Sequence, residues 1–93
     1  MLHLGDLRGV GMVQVDGANV GSIGYKISVW FDEAQNLKSA HGVAVGDGKA
    51  LFKAFNAGAA ELSLEGGGRI KMIVTKINQD GAEFQVNGPV PGY

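Results

Sequence analysis

Apolar and polar side chains alternate without a break between Ser22 and Asp32, and this pattern constrains the fold more than any other feature of the chain. Successive side chains of a β-strand point to opposite faces, so a period of two places one set in a core and the other in solvent. The segment is therefore predicted to be a β-strand with one buried face. Its apolar set comprises Ile23, Tyr25, Ile27, Val29 and Phe31.

Sixteen glycines are spread along the 93 residues, which disfavours long helices and suits a chain that turns often. Further strands are predicted where apolar residues alternate or β-branched residues cluster, at residues 10–16, 37–46, 60–65, 69–78 and 82–87. Turn signals separate these segments, at Asp16-Gly17, the polar loop 32–36, the glycine triplet 66–68 and Asp80-Gly81.

A single helix is predicted between the third and fourth strands, at residues 49–56. Asp47 is suited to cap this helix, because its carboxylate can accept hydrogen bonds from the free amides of the first turn. Leu51 and Phe55 share one helix face, with Phe52 beside them, and Gly58 follows as a terminator. The alternative is another strand, but these residues do not alternate.

Six short strands linked by hairpins, with one short helix before the fourth strand, predict a mainly β fold. The expected architecture is a small six-stranded antiparallel barrel or a coiled sheet. Residues 1–93 are expected to form a single β domain, since the chain has no room for a second core. Residues 1–9 are a candidate for a frayed N-terminus. The tail 88–93 cannot continue a strand ladder, because two of its residues are prolines.

The two hairpins that flank the fifth strand require different sets of its side chains to face inward. A loop made of the glycine triplet sets Leu62 opposite Met72, so that even-numbered residues face the core. A two-residue loop at Asp80-Gly81 makes odd-numbered residues face the core instead. We therefore predict a β-bulge or face switch within Met72–Thr75. The alternative is a three-residue loop, which keeps one parity and turns Lys76 inward.

The charge balance argues against nucleic acid as a partner. Eight Lys and Arg against nine Asp and Glu give a net charge of −1, whereas nucleic-acid binding depends on a surplus of basic groups. Four lysines could converge into a local patch after folding, but solvated surface lysines are the simpler interpretation. These lysines are Lys26, Lys38, Lys49 and Lys53.

The chain contains no cysteine, which excludes disulfides, thiolate zinc sites, iron–sulfur clusters and cysteine nucleophiles. No glycine-rich nucleotide motif or zinc-ligand pair occurs, so no cofactor or metal is expected. The first residues lack the basic and apolar regions of a signal peptide, and no apolar run approaches the ~20 residues that cross a bilayer. We therefore expect a cytoplasmic protein without a membrane partner.

His41 lies in the third predicted strand, on the same face as Val43 and Val45. A catalytic or metal role would require a second ligand or a nucleophile nearby, and the only other histidine is His3. A structural histidine that is hydrogen-bonded to a carboxylate, that of Asp32, Glu33 or Asp47, is the favoured interpretation.

Trp30 falls on the polar face of its strand, together with Lys26 and Ser28. An aromatic ring there needs a cover, which could be the opposite barrel wall, the tail with Tyr93, a second subunit or a ligand. Exposed aromatic residues are enriched at protein interfaces, and the two polar neighbours would give a ligand hydrogen-bonding groups.

Two functions from different classes follow from these features. The first is a non-enzymatic interaction or ligand-binding β module that forms a homodimer through Trp30, Tyr93 or both. The alternative is a small enzyme or ligand sensor with a site near His41 and Asp47. The first is favoured because no pairing of a nucleophile with a base can be identified in the sequence.

Overall fold

Two long strands form the first hairpin of the protein, in a computed structural model that describes residues 1–93. Strand β1 (Leu2–Val15) pairs antiparallel with β2 (Ala18–Asp32). The predicted turn at Asp16-Gly17 joins them, and both residues have the positive φ angles, 52° and 82°, that a tight hairpin turn of this kind requires. The predicted start of the first strand at Val10 was wrong, because backbone pairing with β2 continues to Leu2. Residues 2–9 therefore lie in this strand.

Six antiparallel strands close into a ring, which confirms the predicted fold class. The remaining elements are β3 (Leu37–Gly46), α1 (Gly48–Ala57), β4 (Ala60–Ser63), β5 (Arg69–Asn78) and β6 (Gly81–Asn87). Around the ring the order is β1-β2-β3-β6-β5-β4, and β4 closes the ring by pairing with Met12–Gln14 of β1. The helix is too short to cross a membrane, and no other helix is present.

The core fills the interior of the ring, where the inward faces of the strands meet. Ile23, Tyr25, Ile27 and Val29 are buried, as the alternation predicted, and Phe31 is half-buried. Strands β4, β5 and β6 contribute Leu62, Met72 and Phe84 among others, each at most 1% exposed. Burial of side chains of this size stabilises the fold by roughly 1.5–3 kcal/mol each.

Helix α1 forms where it was predicted, and both of its ends have the expected caps. The Asp47 carboxylate accepts hydrogen bonds from the amides of Lys49 and Ala50, at 3.0 and 3.2 Å. Gly58 ends the helix with a φ of 83°. The helix packs through Ala50, Leu51 and Ala54, whereas Phe55 stays 43% exposed. The small alanines, and not the phenylalanines, therefore let the helix approach the ring closely.

A β-bulge interrupts β5, as the sequence predicted. Val74 pairs with Phe84 on one side of the bulge, Lys76 pairs with Glu83 on the other, and Thr75 is the extra residue. The loop that follows is Gln79-Asp80, so the prediction of a turn at Asp80-Gly81 was wrong. Gly81 belongs to β6 instead, and a side-chain carbon at this position would collide with the Ala44 carbonyl oxygen of β3, so only glycine fits there.

The loop between β4 and β5 lies one residue earlier in the chain than predicted. Leu62 pairs with Ile70 and not with Met72, because the loop comprises Glu65–Gly67 and not the glycine triplet. Two hydrogen bonds close this loop, from the Leu64 amide to the Gly68 carbonyl at 2.7 Å and from the Gly67 amide to the Leu64 carbonyl at 3.0 Å. The even-numbered residues of β5 face inward in spite of this shift, as Ile70, Met72 and Val74 show.

Candidate functional site

A gap opens in the barrel wall where β3 and β6 separate. Their last pair is Ala40 with Val86, yet β3 extends three residues further, to Leu37, and is held there only by β2. On the other side β6 ends at Asn87, and Gly88 turns the chain away with a φ of 101°. The wall therefore lacks a strand beside residues 37–39.

A cleft of about 700 Å³, which we call the tail cleft, occupies this gap. Its apolar surface consists of side chains from the interior of the ring and from the tail, namely Val29, Ala40, Val86 and Val90. Its polar surface consists of side chains around the opening, namely Lys38, Ser39, His41, Gln85 and Asn87. Tyr93 and the chain from Gly88 to Pro89 complete the lining.

The tail forms one side of this cleft because it is docked on its own barrel. Val90 is buried, and the Tyr93 amide donates a hydrogen bond of 3.1 Å to the Val90 carbonyl. The Tyr93 ring lies over Gly5 of β1, where a side-chain carbon would come within 3.0 Å of its Cζ atom. Glycine at position 5 therefore makes room for the aromatic ring that closes this end of the barrel.

The polar groups of the tail cleft share two properties. None of the five polar side chains makes a hydrogen bond or an ion pair within the chain, and none of the lining side chains is a carboxylate. Lys38 supplies a positive charge, Gln85 and Asn87 supply amide donors and acceptors, and His41 supplies an imidazole. The cleft is thus rich in unused donors beside an apolar wall.

The structure brings together two of the six residues that the sequence singled out. His41 and Tyr93 both line the tail cleft. Asp47 does not, because it caps α1, and roughly 20 Å of extended chain separates it from His41. Lys26 and Ser28 lie with Trp30 on the outer face of β2, outside the cleft.

Trp30 is half-buried on that outer face, and its cover comes from the neighbouring strand. His3 pairs with Trp30 across β1 and β2, and their ring centroids are 4.7 Å apart with an interplanar angle of 38°. The indole Nε1 is buried and makes no hydrogen bond. His3 was not predicted in this role, because the register of β1 against β2 beyond Val10 was not part of the prediction.

Asp6 joins this outer cluster through His3. The His3 Nε2 atom lies 2.8 Å from the Asp6 Oδ1 atom, and this hydrogen bond holds the pKa of the Asp6 carboxyl below its ordinary value of 3.8. Desolvation opposes this lowering of the pKa as the second-largest effect, and the weaker effects of Ser28 and of the positive charge of Lys26 lower the pKa further. The predicted neighbours Lys26 and Ser28 thus stabilise an exposed carboxylate.

The sequence interpretation missed Ser39, Gln85 and Asn87, and it considered Lys38 only as a member of a lysine patch. Each is an ordinary polar residue near a strand end, and only the pairing of β3 with β6 places the four around one opening. No His, Asp or Glu side chains cluster in groups of three that could hold a metal ion.

The fold and the tail cleft define a small six-stranded antiparallel barrel with a polar opening in its wall. No family model, curated protein or solved structure matches this chain.

Proposed function

We propose that the protein is a non-enzymatic ligand-binding module, and that the tail cleft binds a small organic anion with an apolar part. One observation carries this proposal: the cleft gathers Lys38, His41 and two side-chain amides beside an apolar wall, without an Asp or Glu side chain. Binding pockets for small molecules commonly combine a mostly apolar lining with a few polar groups that fix orientation, in volumes of about 300–1,000 Å³.

The charge of the ligand follows from the donors that the cleft offers. Lys38 provides only donors, and the amides of Gln85 and Asn87 provide donors as well as acceptors. Hydrogen bonds in which one partner is ionised are stronger than neutral ones, so a carboxylate or phosphate would gain most from these groups. The apolar part of the ligand would pack against Val29, Val86 and Val90.

Binding is favoured over catalysis by the surroundings of His41. Its imidazole makes no side-chain hydrogen bond, so no carboxylate orients it as a general base. Asp47, the partner in the alternative function, uses its Oδ1 atom to accept hydrogen bonds from two helix amides. The proposed enzyme or sensor near His41 and Asp47 therefore has less support than a binding module.

A nuclear magnetic resonance titration of the ¹⁵N-labelled protein tests this proposal. Benzoate and phenyl phosphate should give saturable shifts in residues 38–41 and 85–93, whereas the neutral analogue benzyl alcohol should bind at least about tenfold more weakly. Lys38→Gln should weaken the binding of both anions, and Lys53→Gln on exposed α1 serves as the matched control. Equal binding of the neutral analogue, or shifts outside these segments, would contradict the proposal.

We also propose that the protein forms a homodimer, for which the unpaired edge of β1 gives support. Trp30 and Tyr93 contact His3 and Gly5 of their own chain, so a dimer through either ring would have to keep or replace these contacts. Sedimentation equilibrium measures the association. Trp30→Ala and deletion of residues 89–93 then measure whether these two aromatic residues take part.

A cytoplasmic location and the absence of a nucleic-acid partner complete the proposal. The cysteine-free composition is compatible with the first, and the net charge of −1 supports the second. Fluorescence anisotropy with labelled duplex and single-stranded DNA at physiological salt should show weak binding, and a tight, salt-sensitive complex would contradict this.

A further inference from the structure

Most of strand β1 has a partner on one side only. Residues 2–11 pair with β2, apart from Leu4 at a bulge, but β4 reaches β1 only at Met12–Gln14. None of the backbone hydrogen bonds outside the helix and strands involves β1. Alternate residues of this stretch therefore direct unpaired amide and carbonyl groups away from the barrel, which is the arrangement that accepts an additional strand.

The side chains along this edge favour pairing with another strand and do little to prevent it. Protected edges carry prolines, lysines, inward-pointing charges or bulges. Residues 2–11 contain no proline, lysine or inward-pointing charge, and their one bulge lies near the strand end, between His3 and Gly5. Leu2, Leu4 and Val10 are 49%, 40% and 59% exposed. The edge thus combines unpaired backbone groups with apolar side chains that have no cover.

We propose that a second copy of this chain occupies the edge, with the two β1 strands antiparallel across a two-fold axis at Leu7. This interface rests on the homodimer proposed above and specifies its surface and register. A two-fold axis between antiparallel strands makes the interface self-complementary, and it continues the outer face of one barrel into the outer face of the other.

The charges of β1 select the register. With Leu7 at the axis, Asp6 lies opposite Arg8 of the second copy, and the symmetry repeats this pair. An axis at Asp6 would set two aspartates opposite each other, and an axis at Arg8 would set two arginines opposite each other. Like charges directly opposite are unfavourable, so the Leu7 register is preferred.

Charge reversal tests the register in the full-length protein. Asp6→Arg and Arg8→Asp, each alone, set like charges opposite each other and should weaken dimerisation in sedimentation equilibrium by about tenfold. The double variant restores the unlike pairs and should recover the affinity. Glu83→Arg on the opposite wall is the matched control and should leave dimerisation unchanged. Dimerisation that is insensitive to both single variants would overturn this interface while leaving the homodimer in place.

A single engineered cysteine provides the second test, because the chain has no cysteine of its own. Leu7→Cys should give a disulfide-linked dimer under mild oxidation, since directly opposite Cα atoms lie about 4.5–5.5 Å apart, within the range that a disulfide spans. Asp6→Cys and Arg8→Cys should cross-link at least about tenfold more slowly. Faster cross-linking at position 6 or 8 would overturn the register. A wild-type chain that sediments as a monomer throughout would overturn both the dimer and its interface.

Discussion

The exposed carboxylate of Asp6 is held in position on the strand surface by its contact with His3. Its Oδ1 atom is 2.8 Å from His3, and His3 in turn packs against Trp30. The pKa of Asp6 is lowered chiefly by the His3 hydrogen bond, so the ionised form is favoured in the folded protein. Because the folded-state pKa lies below the unfolded value, Asp6 contributes stability above the unfolded pKa, and this contribution is lost as pH falls through the folded pKa.

Thermal unfolding of the wild type and Asp6→Asn over a pH series measures this contribution. The wild type should be the more stable protein near neutral pH, and the difference should shrink as the pH falls below the ordinary aspartate value of 3.8. The asparagine keeps the size of the side chain but cannot ionise. A difference that stays constant down to strongly acidic pH would show that packing, and not ionisation, is the cause.

Two glycines in different surroundings should respond in opposite ways to one added methyl group. At Gly42 a side-chain carbon would lie 2.5 Å from Cζ of buried Phe84 and 2.8 Å from the Lys26 carbonyl oxygen. At Gly48, in the first turn of α1, nothing lies within 4 Å. Gly42→Ala should therefore lower the free energy of unfolding by about 1–3 kcal/mol through overpacking. Gly48→Ala should be neutral or raise it by up to ~1 kcal/mol. Urea unfolding of both variants measures the contrast, and a similar loss in both would contradict it.

At the scale of elements, α1 depends on its cap because it is short and packs only through Ala50, Leu51 and Ala54. Asp47→Ala removes the acceptor of two amide hydrogen bonds and should cost about 1 kcal/mol of unfolding free energy. Asp47→Asn keeps an acceptor oxygen and should cost much less. Urea unfolding separates the two variants. Equal losses would indicate that the negative charge near the helix start, and not the cap geometry, stabilises α1.

The periodicity of the sequence predicted the strands of this protein better than it predicted the loops. The alternation in β2 depends on side-chain size and polarity, so it could be identified from the sequence. The bulge in β5 was predicted from the opposite faces that the two flanking loops require, and it forms because each loop is displaced by only one residue, which leaves those faces unchanged. The loop residues could not be placed in the same way. Gly68 and Gly81 look like turn glycines in the sequence, but Pro91 and the Ala44 carbonyl lie where their side chains would be. Such close contacts with distant parts of the chain are invisible to local pattern.

For the whole molecule, the candidate site results from unequal strand lengths. The sequence singled out His41 and Tyr93, which are 52 positions apart, without a reason to join them. They share the tail cleft because β3 continues past its last pair with β6 and the tail then crosses the end of the barrel. Neither ring order nor register between β3 and β6 can be inferred from the residues, so the remaining four polar residues of the cleft could not be foreseen.

The tail should therefore contribute to stability and to ligand binding together. Val90 and Tyr93 bury apolar surface against the barrel, a gain of roughly 1.5–3 kcal/mol for a fully buried side chain, which is partly offset by the ordering of five residues. Two prolines reduce that ordering cost, because they restrict the tail before it docks.

Deletion of residues 89–93 should lower the free energy of unfolding by about 1–2 kcal/mol and abolish saturable binding of benzoate, since one side of the tail cleft disappears. Tyr93→Phe is the matched control: it keeps the ring over Gly5 and should preserve both properties, because the hydroxyl makes no hydrogen bond. Urea unfolding and the benzoate titration measure the two effects on the same samples. A truncated protein of unchanged stability would show that the tail does not hold its docked position, and the cleft would then lose one of its sides.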